Sequence, residues 1–174
     1  MNKRIFVITS CVLIVSILAT AFCFWPMKKH EVLEFQAVQV TADGTIMEHC
    51  TIAWDGETKA NIFQYPRYIG IRLNISNFGE IYYTTVDNGG MLTGDYIKPI
   101  TNMDKNSNLE GYSIHQDNDS IQYLTTAYVY LTTDRTVCLV KINDAPERWH
   151  YYIGTTDSDI DLTKLCEDYK GFFS

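Results

Sequence analysis

The feature that most constrains this chain is an uncharged run at its N-terminus, IFVITSCVLIVSILATAFCFW, from Ile5 to Trp25. As a helix rising 1.5 Å per residue, it would span roughly 30 Å, the thickness of a bilayer's hydrocarbon core. Lys3 and Arg4 precede it, and Pro26, Lys28 and Lys29 follow it. Proline ends a helix, tryptophan suits the membrane interface, and lysines suit the headgroups. The sequence therefore divides into a signal anchor over residues 1–30, with a transmembrane helix at about 5–25, and a single domain over residues 31–174. Cleavage as a signal peptide is the alternative, because Ala19-Thr20-Ala21 matches a small-x-small site and would release a secreted body after Ala21. The apolar Phe22–Trp25 continuation argues against it. Basic residues flank both ends of the run, so the positive-inside bias is slight. It places the N-terminus inside and the body outside the cytoplasm, in the cell envelope.

Charge narrows the partners of that body. The chain has a formal net charge of −7, but all 21 acidic residues follow His30, against ten basic ones there, which leaves the body at −11. Such a surface repels phosphates, so the sequence predicts no nucleic-acid binding. Contact with a membrane is expected through the N-terminal helix alone.

The body alternates with period two. Ile69, Ile71, Leu73 and Ile75 share one face of YIGIRLNIS, with Arg72 and Asn74 opposite. FQAVQV at 35–40, the segment from Ile46 to Trp54, EIYYTTV, QYLTTAYVYL, TVCLVKI and WHYYIG read as further strands. Turns are expected at Ala42–Gly44, Asp55-Gly56, Asn77–Gly79, Thr133–Arg135 and Asn143–Glu147. Residues 101–119 are polar and read as a long loop, with a short strand near Tyr112–His115. At the C-terminus the period changes. Leu162, Leu165, Cys166, Tyr169 and Phe173 lie on one face of a helix at about 159–170. The expected fold is mainly β: an antiparallel meander forming a sandwich or a partly closed barrel, with one C-terminal helix.

Three kinds of chemistry deserve weighing. Asp157, Asp159 and Asp161 alternate as in the start of a calcium loop, but Leu162 stands where such a loop needs glycine. The triplet reads instead as a helix start, capped by Ser158 or Asp159. Asp104, in the 101–119 loop, heads a similar alternation and reads as a solvated turn. Among cysteines, Cys50, Cys138 and Cys166 read as small buried residues; a Cys50–Cys138 bridge is the disulfide worth testing. The strand aromatics Tyr83, Tyr128, Tyr130, Trp149 and Tyr151 are the ligand-binding candidates, set against ordinary cross-strand packing.

No nucleophile-elbow, phosphate-loop or zinc-protease motif occurs, no catalytic residue is singled out, and nothing calls for a cofactor. The leading expectation is a membrane-anchored binding or assembly module that meets a protein or a cell-wall component. A small-ligand carrier with an aromatic-lined cavity is the alternative, and an Asp/Glu hydrolase the third.

Overall fold

The computed structural model describes residues 3–25, 27–60, 67–84, 96–99, 108–116 and 125–173. Helix α1 spans Lys3–Phe24. Nine strands follow: β1 Met27–Val40, β2 Ile46–Ala60, β3 Arg67–Ile75, β4 Gly79–Thr84, β5 Tyr96–Pro99, β6 Leu109–Gln116, β7 Thr125–Thr132, β8 Val137–Ala145 and β9 Arg148–Thr155. Helix α2, Leu162–Asp168, and a 3-10 turn over Lys170–Phe172 close the chain. Among the described residues no helix is long and apolar enough to cross a membrane. Within α1, side chains are described at positions 10–21 and 23.

The strands form one sheet in the order β4-β3-β2-β1-β9-β8-β7-β6-β5. All eight neighbouring pairs are antiparallel. The fold is mainly β, as expected: a single antiparallel sheet, curled but not closed, with one C-terminal helix. Eight reversals leave the outermost strands, β4 and β5, running in the same direction, so only a parallel ladder could join them, and the described residues show none. The sheet nevertheless curls until Cα atoms of β4 come within 8 Å of β5 and β6.

Curling gives the sheet a concave face that packs on itself. Phe35, Ile52, Trp54, Leu73, Ile81, Ile114, Val129, Val140 and Tyr152 are buried there in one cluster. These residues occupy alternate positions of eight strands, which is the period-two signal read from the sequence. The convex face carries a second cluster. Val38, Val40, Leu139 and Ile153 from the sheet meet Leu165, Cys166 and Phe173 from the C-terminal segment. Gly154 makes the close approach of β9 to β1 possible: a Cβ there would lie 2.9 Å from that of Ala37 and 3.0 Å from that of Phe35.

Several local expectations change. β1 starts at Met27 rather than Phe35, because Met27–Glu34 pair residue for residue with Ala53–Ala60. Asp55-Gly56 is not a turn. It lies inside β2, with Asp55 opposite Val32 and Arg72, and Gly56 opposite Glu31 and Ile71. Ladder bonds on both sides outweigh the turn preference of the pair. The short strand expected near Tyr112–His115 is present and longer, as β6, while residues 101–107 and 117–119 of the expected loop lie outside the described residues; β5, over Tyr96–Pro99, has no counterpart in the sequence reading. The turns at Gly44, Gly79, Arg135 and Glu147 are where the sequence places them, each residue with positive φ.

The three body cysteines are free. Cys50 and Cys138 both face inward, but they sit on β2 and β8, three strand steps apart and about 14 Å along the sheet. A disulfide needs Cα atoms within about 7 Å. Helix α2 begins at Leu162, because Asp161 caps it: its Oδ1 accepts the Thr163 N–H at 2.8 Å. The cap is thus neither Ser158 nor Asp159.

One end of the curled sheet is tied by Arg135, in the β7–β8 turn. Its guanidinium donates to Glu110 Oε2 on β6 at 2.8 Å and lies 3.5 Å from Glu31 Oε2 on β1. Tyr112 donates to the same Glu110 oxygen at 3.3 Å.

Candidate functional site

The convex face of β7, β8 and β9 brings together four of the five aromatic candidates. Register does this directly. Tyr128 lies opposite Lys141, and Lys141 opposite Tyr151; one pair along the strands, Thr126 lies opposite Asn143, and Asn143 opposite Trp149. Side chains alternate across a strand, so all six project from one surface. Their rings interlock: Tyr128 and Trp149 stack with centroids 6.2 Å apart and planes at 29°. The Lys141 Nζ sits 5.3 Å from the Trp149 ring centre and 5.5 Å from that of Tyr151, within cation–π range.

The C-terminal segment divides this face in two. Tyr130 packs edge-on against Phe172 at 4.6 Å, and Tyr151 against Phe173 at 5.6 Å. Tyr130 is therefore a packing residue. Its burial, with Tyr128 nearby, pushes its phenol above the usual tyrosine range. Beyond the cap Tyr128, Lys141 and Asn143 are half-buried. Trp149 is 39% exposed, the largest ring of the domain left in solvent among the described residues. Among those residues Lys141 makes no salt bridge. Tyr83 does not join this group. It lies on β4, six strand steps from β7 and opposite Ile71, and its side chain lies outside the described residues.

A second cluster lines the end of the sheet remote from Arg135, and the sequence offered no contiguous signal for it. Asp144 accepts two bonds from Arg148, at 2.6 and 2.7 Å. His150 Nε2 lies 3.4 Å from the same carboxylate, at ion-pair distance but without hydrogen-bond alignment. Asn77 donates to Gln39 Oε1 and to Glu48 Oε2, both at 3.1 Å. Burial raises the Asp144 pKa, but the Arg148 hydrogen bonds and the charges of His150 and Arg148 outweigh it and hold the carboxyl below its usual range. Nearby, burial and the Glu48 charge push the Cys50 thiol up to about 11. A thiol so placed stays protonated at neutral pH and is a poor nucleophile. The Asp144–His150 pair thus has the look of an acid–base dyad but faces no activated nucleophile among the described residues.

The aspartates of residues 157–161 are occupied by backbone. Asp157 Oδ1 accepts the Asp159 N–H at 2.9 Å, and Asp161 caps α2. Among the described residues no three His, Cys, Asp or Glu side chains converge as metal ligands. Asp104 lies outside the described residues. A groove of ≈ 430 Å³ runs between the β1–β2 turn and α2, past Asp43, Ile46, Thr163, Cys166, Glu167 and Lys170. The chain matches no protein-family model, no curated protein and no solved structure.

Proposed function

We propose that the chain is a membrane-anchored, extracytoplasmic binding module of the cell envelope, non-enzymatic, whose contact surface is the convex face around Trp149, Tyr128 and Lys141. The observation that carries this reading is the exposed Trp149 ring, stacked on Tyr128 beside a lysine with no carboxylate partner among the described residues. An exposed aromatic with an unneutralised cation is a contact surface kept free of its own domain.

The anchor is supported by the apolar run itself and by the exposure of its described part. Val12, Leu13, Ile14 and Val15 are each at least 55% exposed. Successive helical residues lie about 100° apart, so these four cover every side of the helix. A helix apolar all round is suited to lipid. β1 starts at Met27, three residues after α1 ends, and its 14 residues cover roughly 45 Å when extended. Val40 at its far end pairs with Tyr151, two residues from Trp149. The contact face therefore lies at the end of the sheet remote from the anchor, which suits reach into an envelope.

The carrier reading has less support, because Trp54, Phe35, Tyr152 and their neighbours fill the described interior. The hydrolase reading, which calls for Asp or Glu chemistry, has less support, because the Asp144 carboxylate is already held by two bonds from Arg148.

The test uses the full chain in its own membrane. Alkali-resistant membrane association with protease access from outside the cytoplasm is expected; release of the body into the soluble fraction sinks the anchor. A photo-crosslinking residue at Thr126 should yield an envelope adduct, and the same residue at exposed Thr51 on β2 should not. Equal or absent adducts at both positions sink the contact face.

A further inference from the structure

The same face carries a ligand class, and this inference rests on the binding-module reading above. We propose that the convex face binds an acidic sugar, with its pyranose ring laid on Trp149 and its carboxylate held by the Lys141 ammonium. Three observations converge on this chemistry.

First, the indole suits a ligand with C–H edges. Tyr128 stacks on Trp149 with the planes at 29° and so holds the indole in place, while Trp149 keeps 39% of its surface in solvent. The negative face of an indole attracts the partly positive C–H groups of a sugar as it attracts a cation. Second, the cation is preset. Lys141 Nζ is held 5.3 Å from one ring centre and 5.5 Å from another, so little of its side-chain freedom remains to be lost on binding. No carboxylate among the described residues neutralises it. The nearest charged pair on the same two strands, Asp144–Arg148, is bidentate and internally balanced. On a body of net −11, an uncompensated lysine between aromatic rings is the local exception that complements an anion. Third, the residue between the two aromatic strands is short and polar. Asn143 lies opposite Trp149 on the same face. Its amide suits sugar hydroxyls and is too short to cover the rings.

A polypeptide partner would also meet the aromatic side chains, and its carboxylates would meet Lys141 in the same way, so a captured polypeptide is the outcome that tells the two classes apart. A membrane surface is disfavoured by the position of the face at the far end of β1.

The test is titration of the detergent-solubilised full chain with tri-galacturonate, and with cellotriose as the neutral counterpart. Tri-galacturonate is expected to bind, and Trp149→Ala to weaken it at least about tenfold. Lys141→Gln is expected to weaken tri-galacturonate roughly fivefold and leave cellotriose unchanged. Each variant is accepted only with an unchanged thermal midpoint; should Trp149→Ala melt early, Trp149→Phe, with its smaller ring, replaces it and is expected to weaken binding partially. No binding of either sugar at millimolar concentration, or binding indifferent to both substitutions, overturns the proposal. Binding lost in Trp149→Ala but indifferent to Lys141→Gln and equal for both sugars overturns its acidic part. If the Thr126 crosslinker captures a polypeptide while both sugars fail, the ligand class is wrong and the contact face stands. If neither an adduct nor sugar binding is seen, both readings fall.

Discussion

The Trp54 indole on β2 and the Tyr112 phenol on β6 lie 6.4 Å apart, although five strand steps separate them along the sheet. In a flat sheet five steps would be about 24 Å. The contact crosses the concave interior and is the most direct expression of the curl. Trp54 is fully buried, so Trp54→Ala is expected to destabilise the domain by about 3–5 kcal/mol, read by urea denaturation. A loss under 1 kcal/mol would show that the two halves of the sheet do not lean on this contact.

Tyr112 adds a pH dependence. Burial and the Glu110 charge push its phenol up to about 12, so the folded state holds the proton that the unfolded state begins to release near 10. Above that pH the unfolded chain binds fewer protons, and stability falls as pH rises from about 10 to 12. Denaturation midpoints at pH 9 and 11 should differ less in Tyr112→Phe than in the parent. Identical slopes would contradict the assignment.

At the other extreme of pH, Asp144 acts with the opposite sign. Its carboxyl is held below its ordinary value of 3.8 by Arg148 and His150, against the opposing effect of burial. Its contribution is therefore present above about pH 4 and disappears as pH falls below that. Because Arg148 is largely exposed, Asp144→Asn should cost only about 0.5–1 kcal/mol at pH 7. The difference between the two proteins should shrink as pH falls below about 4.

Arg135 is shared by Glu31 and Glu110, and all three are partly buried. Arg135→Ala removes that shared cation and a residue that holds the β7–β8 turn at φ 63. A loss of about 2–3 kcal/mol is expected. In a Glu110→Gln background the same substitution should cost less, and a double-mutant cycle measures the difference. Additive effects would mean that the turn, not the charge, explains the loss.

Two substitutions test backbone placement. Gly154→Ala puts a methyl 2.9 Å from the Ala37 Cβ, between two ladder-bonded strands that cannot separate cheaply. It should destabilise by about 1–3 kcal/mol. Asp161→Ala removes the cap of α2 and should cost about 1 kcal/mol, whereas Ser158→Ala and Asp159→Ala should cost almost nothing. If Asp159→Ala proves the more harmful, the helix starts earlier than Leu162.

Periodicity was legible because it follows from burial of one side. The alternation in YIGIRLNIS put Ile71, Leu73 and Ile75 on the inner face, and the 3–4 spacing of Leu165, Cys166 and Tyr169 marked the covering helix. The candidate face was half legible. Tyr128, Tyr130, Trp149 and Tyr151 could be singled out as strand aromatics, but parity along a strand does not say which face is concave. Lys141 and Asn143 carried no signal of their own, since their role comes from lying opposite those rings. The cluster of Gln39, Glu48, Asn77, Asp144 and His150 was invisible, being drawn from five separate stretches of chain.

What the sequence by itself determined, then, is local: the apolar run of Ile5–Trp25, the strand and helix periods, and the tight turns. Those depend on side chains and φ preferences within a few residues. Tertiary structure decided the rest. Ladder bonds from two neighbours drew Asp55-Gly56 into a strand. The pairing of β1 with β9 joined nine strands in one row. Curl brought Trp54 to Tyr112, and the C-terminal cap chose which aromatics were buried and left Trp149 exposed. Each of these is set by contacts between residues distant in sequence, whose energies no local pattern encodes.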